Sequence, residues 1–137
     1  MNQPLAPVHR DDASAQFFDA TAQGRLLLRR CNDCDHVRGP EVPMCTECLS
    51  ESFEWFDAVG TGHVESWVVL PGRSGTDAAS MPRIVATVEL TEGPWMISTL
   101  LDIVSSEVRY QMPVHVSFER PDDSESIPVF RPIDHRA

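Results

Sequence analysis

The amino-acid sequence predicts a mainly β chain: a short N-terminal helix, a metal-binding ribbon, then a small β-barrel. Three observations predict it. All four cysteines fall in two Cys-x-x-Cys pairs, Cys31/Cys34 and Cys45/Cys48, with ten residues between the pairs. After them come short segments rich in β-branched and aromatic residues, separated by Gly- and Pro-bearing turns. Before them lies one short stretch of helical character that ends at a glycine. The expected boundaries are 1–24 for an arm and helix, 25–52 for the ribbon and 53–137 for the barrel.

Residues 1–12 are polar and Pro-bearing and are expected to form a mobile arm. Residues 14–23 read as a helix, with Asp11, Asp12 or Ser14 as cap and Gly24 at the C′ position. So short a helix is marginal alone and must dock on something. Phe17 and Phe18 are its anchors. Their ordinary role is core packing; if they stay partly exposed, they become anchors for a partner.

Leu26–Arg30 runs extended into the first cysteine pair. Gly39-Pro40 and Val42-Pro43 break any helix between the pairs. Two residues between paired thiols let both sulfurs face one centre, and two such turns supply four thiolates. That is a closed tetrahedral shell for Zn²⁺, with Cys31, Cys34, Cys45 and Cys48 as ligands. Iron fits the same four-sulfur cage and is the rival metal. Such a site has no open position, which reads as architecture rather than catalysis. Residues 26–54 hold little apolar material of their own, so the metal is expected to hold the ribbon. His36 reads as a solvated turn residue.

Phe53–Val59 is strand-like, Gly60-Thr61-Gly62 turns the chain, and His63–Leu70 alternates as a second strand. Residues 71–83 make the longest loop. Strands follow at Ile84–Leu90, Trp95–Asp102 and Val114–Arg120, with a hairpin turn at Glu92-Gly93, and Pro128–Arg131 is a last extended piece. Five or so short strands with one long internal loop suit a barrel of OB type.

Composition narrows the chemistry. The 137 residues are 42% hydrophobic, enough for one compact domain with an appended ribbon. No run is long enough for a membrane-spanning helix. The first residues carry no apolar signal segment, and four thiols reserved for metal fit a reducing cytoplasm. The net charge of −10 opposes broad nucleic-acid binding. All eleven basic residues are Arg, so a Schiff-base lysine is excluded. There is no Gly-x-Ser-x-Gly elbow and no phosphate loop. The histidines are scattered; His63 and His115 fall in strands and are the two that could face a barrel interior. Arg73 and Arg83 flank the long loop, and Arg29 and Arg30 precede the ribbon. These four are the candidates for clamping an anionic ligand. Binding of single-stranded nucleic acid through Arg29, Arg30, Trp55 and Trp67 is the alternative, and a ligand-free interaction module is a third reading.

The ordered set of motifs resembles a known family. It comprises the Phe-Phe helix, Gly24-Arg25-Leu26, the two Cys-x-x-Cys pairs and Gly60-Thr61-Gly62. It continues with Arg83–Leu90, Met112-Pro113-Val114 and Pro128–Pro132. Together these are similar to the acyl-CoA-associated OB-fold family with an N-terminal rubredoxin-like zinc ribbon. The resemblance implies a non-catalytic subunit that binds structural zinc and associates with a thiolase-like enzyme or a hotdog-fold enoyl-CoA hydratase. It also implies that acyl-CoA lies at the shared interface, with the four arginines as its candidate contacts. Three positions depart from the family, which often carries Gly after each second cysteine and before Met-Pro. Here those positions hold Asp35, Leu49 and Gln111.

Overall fold

The computed structural model describes residues 5–71 and 82–133. Helix α1 (Ala15–Thr21) is followed by β1 (Leu27–Cys31), β2 (Val37–Arg38) and β3 (Phe53–Asp57). These strands form one antiparallel sheet in the order β2-β1-β3. Then come β4 (Thr61–Leu70), β5 (Arg83–Leu90), β6 (Trp95–Leu100), β7 (Pro113–Glu119) and β8 (Ile127–Pro132). They close a barrel in the order β4-β5-β6-β8-β7, with β4 also paired to β7. This is the five-stranded OB arrangement. The expected barrel began at Phe53, and that boundary shifts. All of β3 pairs with β1, from Leu27↔Asp57 to Cys31↔Phe53, so it closes the ribbon instead.

Pattern explains the barrel. In β5, Ile84, Ala86, Val88 and Leu90 are buried, and the residues between them are half-buried. In β4 the simple alternation expected from His63 to Leu70 is broken by a bulge between Val64 and Ser66. The extra residue reverses the phase, so Val64 opposes Val88 and Trp67 opposes Ala86 on the inward side. Gly62 is required where β4 crosses β5. A Cβ there would stand 2.3 Å from the Glu89 carbonyl oxygen. His63 and His115 sit between the buried positions Gly62, Val64 and Val114, on the outward phase. The expectation that they could line a barrel interior is therefore corrected.

One core joins the parts. Leu26, Leu27 and Leu28 are buried in the same cluster as Phe17, Phe18, Val64, Leu100 and Phe130. The ribbon thus has more apolar anchorage than its sequence suggested, and it shares that anchorage with helix and barrel. Phe17 and Phe18 are only 8% and 9% exposed and meet edge to face with centroids 5.1 Å apart. They are core residues, which removes them as partner anchors. The larger exposed apolar side chains include Val68, Trp95 and Ile97, on strands β4 and β6.

The helix is shorter than its sequence suggests and ends at Thr21, with Gly24 beyond it at φ +76°. Thr21 Oγ1 donates to the Ser126 carbonyl (2.7 Å) and docks α1 on the approach to β8. Ser14 occupies the N-cap but makes no side-chain cap bond; its hydroxyl pairs with Asp11 instead. The described part of the arm is tied down. Val8 exchanges bonds with Ser124 and Glu125, and Arg10 bridges Glu125 (2.8 Å) to Asp19 (2.7 Å). Its expected mobility is corrected there, because Val8 and Arg10 are bonded to residues across the fold.

Candidate metal centre and the arginine groove

Two near-identical turns build the metal centre. The Asp35 amide donates to the Cys31 carbonyl (3.0 Å), and the Leu49 amide donates to the Cys45 carbonyl (2.9 Å). The amides of Asp33 and Glu47 reach Cys31 Sγ and Cys45 Sγ at 3.4 Å each. Both turns end in a left-handed residue, Asp35 and Leu49, each at φ 66°. Gln111 has φ 67°. All three departures from the family's glycines are thus left-handed positions filled by side-chain-bearing residues.

The four sulfurs lie within 4.8 Å of one another. Cys31 Sγ and Cys48 Sγ are 3.5 Å apart, as are Cys34 Sγ and Cys45 Sγ. A tetrahedron with metal–sulfur bonds of about 2.3 Å needs sulfurs about 3.8 Å apart, so the cage fits a four-thiolate metal. Cys31 and Cys45 are buried, and Cys34 and Cys48 are exposed. Burial opposes ionisation of Cys31, yet the Asp33 and Cys34 amides and neighbouring thiols bring it down to about 7. Cys34 goes the other way, to about 12. The His36 amide favours its thiolate, but partial desolvation of the sulfur and the three other sulfurs outweigh that amide. Crowded sulfurs with two amide donors already aimed at them suit a cation that replaces the protons. His36 contributes no ligand atom to the cluster.

Beside the ribbon lies a groove of about 600 Å³, walled by α1 and the arm, by the Pro40–Pro43 turn, and by β6 and β8. Arg29 enters it from β1. Its Nε donates to the Pro40 carbonyl (2.8 Å), and its guanidinium lies over Phe53 and Trp55 at 4.3 and 4.8 Å. Arg38, missed in the sequence, is the register partner of Arg29 and is only 3% exposed. The signal available was its place beside Val37 in a two-residue strand. Which residue it would meet depends on register, and that is not visible locally.

The other candidates are dispersed. Arg30 lies over Phe56 at 4.1 Å and pairs with Glu54 at 3.7 Å. Successive residues of a strand face opposite sides, so Arg29 and Arg30 do not form one clamp. Arg83 opens β5. Arg73 and most of the long loop lie outside the described residues.

Comparison with known proteins gives this architecture a family. Residues 18–54 match the model described as ChsH2, rubredoxin-like zinc ribbon domain. Residues 55–119 match the one described as ChsH2, C-terminal OB-fold domain. A solved structure described as Ltp2-ChsH2(DUF35) aldolase contains a chain 36% identical to this one. It superposes with a TM-score of 0.76 over 93% of this chain and 98% of that one.

The chain belongs to the ChsH2 family.

A probable enoyl-CoA hydratase alpha subunit of Thermomonospora curvata is 36% identical over 130 residues. That match takes in 95% of this chain but only 40% of the hydratase subunit's length. A DUF35 domain-containing scaffold protein of Pyrococcus furiosus is 29% identical over 92 residues, 67% of each chain. A DUF35-family protein of unknown function from Sulfolobus solfataricus, at 13% identity and a TM-score of 0.63, shares the fold. No described helix is long and apolar enough to cross a membrane.

Proposed function

We propose that this chain is a non-catalytic accessory subunit of an enzyme that acts on acyl-CoA thioesters. Its partner is a thiolase-like enzyme such as a thiolase, aldolase or acyltransferase; a hotdog-fold hydratase is the other form. The observation that carries this reading is the match to the ChsH2(DUF35) chain of the aldolase structure, nearly full length in both chains. The scaffold name of the archaeal relative supports it. So does the cage of four cysteines, which uses every thiol of the chain and leaves none as a nucleophile.

The metal in this reading is zinc, held by Cys31, Cys34, Cys45 and Cys48. Its chemistry is structural: four thiolates saturate a tetrahedral ion and fix the ribbon against the shared core. The chain contributes to the partner's stability and to one wall of its CoA site. Arg83 and Arg73 border the long loop and serve the nucleotide phosphates there. The setting is the cytoplasm, where four thiols stay reduced for metal.

The test is reconstitution with a candidate thiolase-like enzyme from the same organism. The isolated chain is expected to turn over no acyl-CoA, and the partner to gain activity or solubility when the chain is added. Robust thioesterase or aldolase activity from the chain alone would defeat the reading, as would a partner indifferent to it.

A further inference from the structure

We propose that the groove beside the ribbon binds an amphipathic carboxylate, an apolar chain ending in a carboxyl group, with Arg29 as the anchor. Arg29 is nine-tenths buried, and its Nε is satisfied by Pro40. Neither of its Nη nitrogens has a hydrogen-bond partner among the described residues. Arg38 packs beside it, donating to the carbonyls of Val42 and Pro43, with Nη1 buried and unpartnered. Both guanidiniums face Phe53, at 4.3 and 5.3 Å. Neither has a carboxylate within 4.0 Å among the described residues. Two adjacent buried cations repel each other and are costly to desolvate, and the opposing charge nearest Arg29, Glu41, is exposed and not bonded to it. An anion reaching Arg29 through the groove offsets the cost at Arg29 and weakens its repulsion from Arg38.

The groove also sets the class of anion. Its volume of about 600 Å³ is that of a small-ligand site. Phe17, Pro40, Pro43, Met96, Ile97 and Ile127 give it apolar walls. Two carboxylates border it, Asp11 and Glu41. Asp11 is engaged by Ser14, and Glu41 is exposed. The negative charge of these two acids at the groove disfavours a polyphosphate and favours an anion of low charge. A carboxylate suits the two free Nη groups, since a guanidinium binds it through two parallel bonds. This inference does not rest on the partner enzyme, because the whole groove is built from this chain.

The test titrates decanoate into the full zinc-loaded chain, by calorimetry and by tryptophan fluorescence, to which Trp55 on Arg29 contributes. Saturable one-to-one binding is expected. Decanol, lacking the charge, should bind about tenfold more weakly, the order of a lost charge-assisted contact. Arg29→Lys keeps the charge and stem but loses the fork, and should weaken decanoate by a similar factor. Because Arg29 also packs on two rings, two exposed positions guard against misfolding. Glu41→Gln should tighten decanoate about threefold and Ile97→Glu should weaken it about fivefold, through one charge near the mouth. Melting temperatures should stay within about 2 °C of the parent, as for surface substitutions. Decanol binding as well as decanoate would overturn the proposal. So would indifference to both exposed substitutions, or no saturable binding. Free CoA binding more tightly than decanoate at the same site would also overturn it, by assigning the groove to phosphates.

Discussion

Leu49 closes the second cysteine turn at φ 66°, a backbone that an L-residue adopts at a cost of about 1–2 kcal/mol. Its side chain is 70% exposed, so it gains little from burial. Leu49→Gly removes the strain. The greater freedom of glycine in the unfolded chain returns about 0.5–1 kcal/mol of that gain. The net expectation is stabilisation by about 0.5–1 kcal/mol. For 137 residues the unfolding entropy is about 0.3 kcal/mol per kelvin, so the melting temperature should rise by about 2–3 °C. The assay is thermal unfolding followed by circular dichroism at fixed excess zinc. Asp35→Gly is the control at the same φ; Asp tolerates this backbone better, so its gain should be smaller, under about 0.5 kcal/mol. A melting temperature unchanged or lowered by Leu49→Gly, with metal still bound, would refute the strain argument.

Other substitutions probe other parts of the fold. Gly62→Ala drives a Cβ onto the Glu89 carbonyl and should destabilise by about 2–3 kcal/mol, read as a shifted denaturant midpoint. Cys45→Ser should abolish stoichiometric zinc. Because Leu26–Leu28 share the barrel's core, it should lower the melting of the whole chain, not of the ribbon alone. Hydrogen exchange that loosens only the ribbon would contradict this. Glu125 has its pKa lowered, first by its hydrogen bond from Arg10. That contribution is present above the unfolded carboxyl pKa and is lost as pH falls through the depressed folded value. Glu125→Gln should therefore flatten the loss of stability in acid, measured by urea unfolding between about pH 5 and pH 3.

The parts legible in sequence were those set by local spacing. Two residues between thiols define a sulfur turn wherever it occurs, and the alternation Ile84-Ala86-Val88-Leu90 announces a strand with one buried face. The glycine pattern of the family pointed to Asp35, Leu49 and Gln111 as left-handed positions, and their φ values agree. The parts that were not legible depend on partners distant in sequence. Nothing in Phe53–Asp57 says that it pairs with β1 and not with the barrel. The bulge after Val64 appears only against β5, and it reseats every later side chain of β4. Arg29 looked like a surface clamp with Arg30. Its burial over Phe53 and Trp55, and its register with Arg38, follow from three strands meeting. Phe17 and Phe18 read first as core residues, with an interface as the alternative, and their burial in one cluster with Leu28 and Phe130 decides for the core.

The central claim is association, and native mass spectrometry of a co-expressed pair tests it most directly. This chain and a candidate thiolase-like enzyme from the same organism, produced together and purified through a tag on the enzyme alone, should fly as one complex. Its mass should be the sum of both chains plus one zinc per copy of this chain, and the zinc should be lost when Cys31 and Cys34 are replaced by Ser. Two separate species at micromolar concentration, each folded and each in its own charge series, would contradict the account.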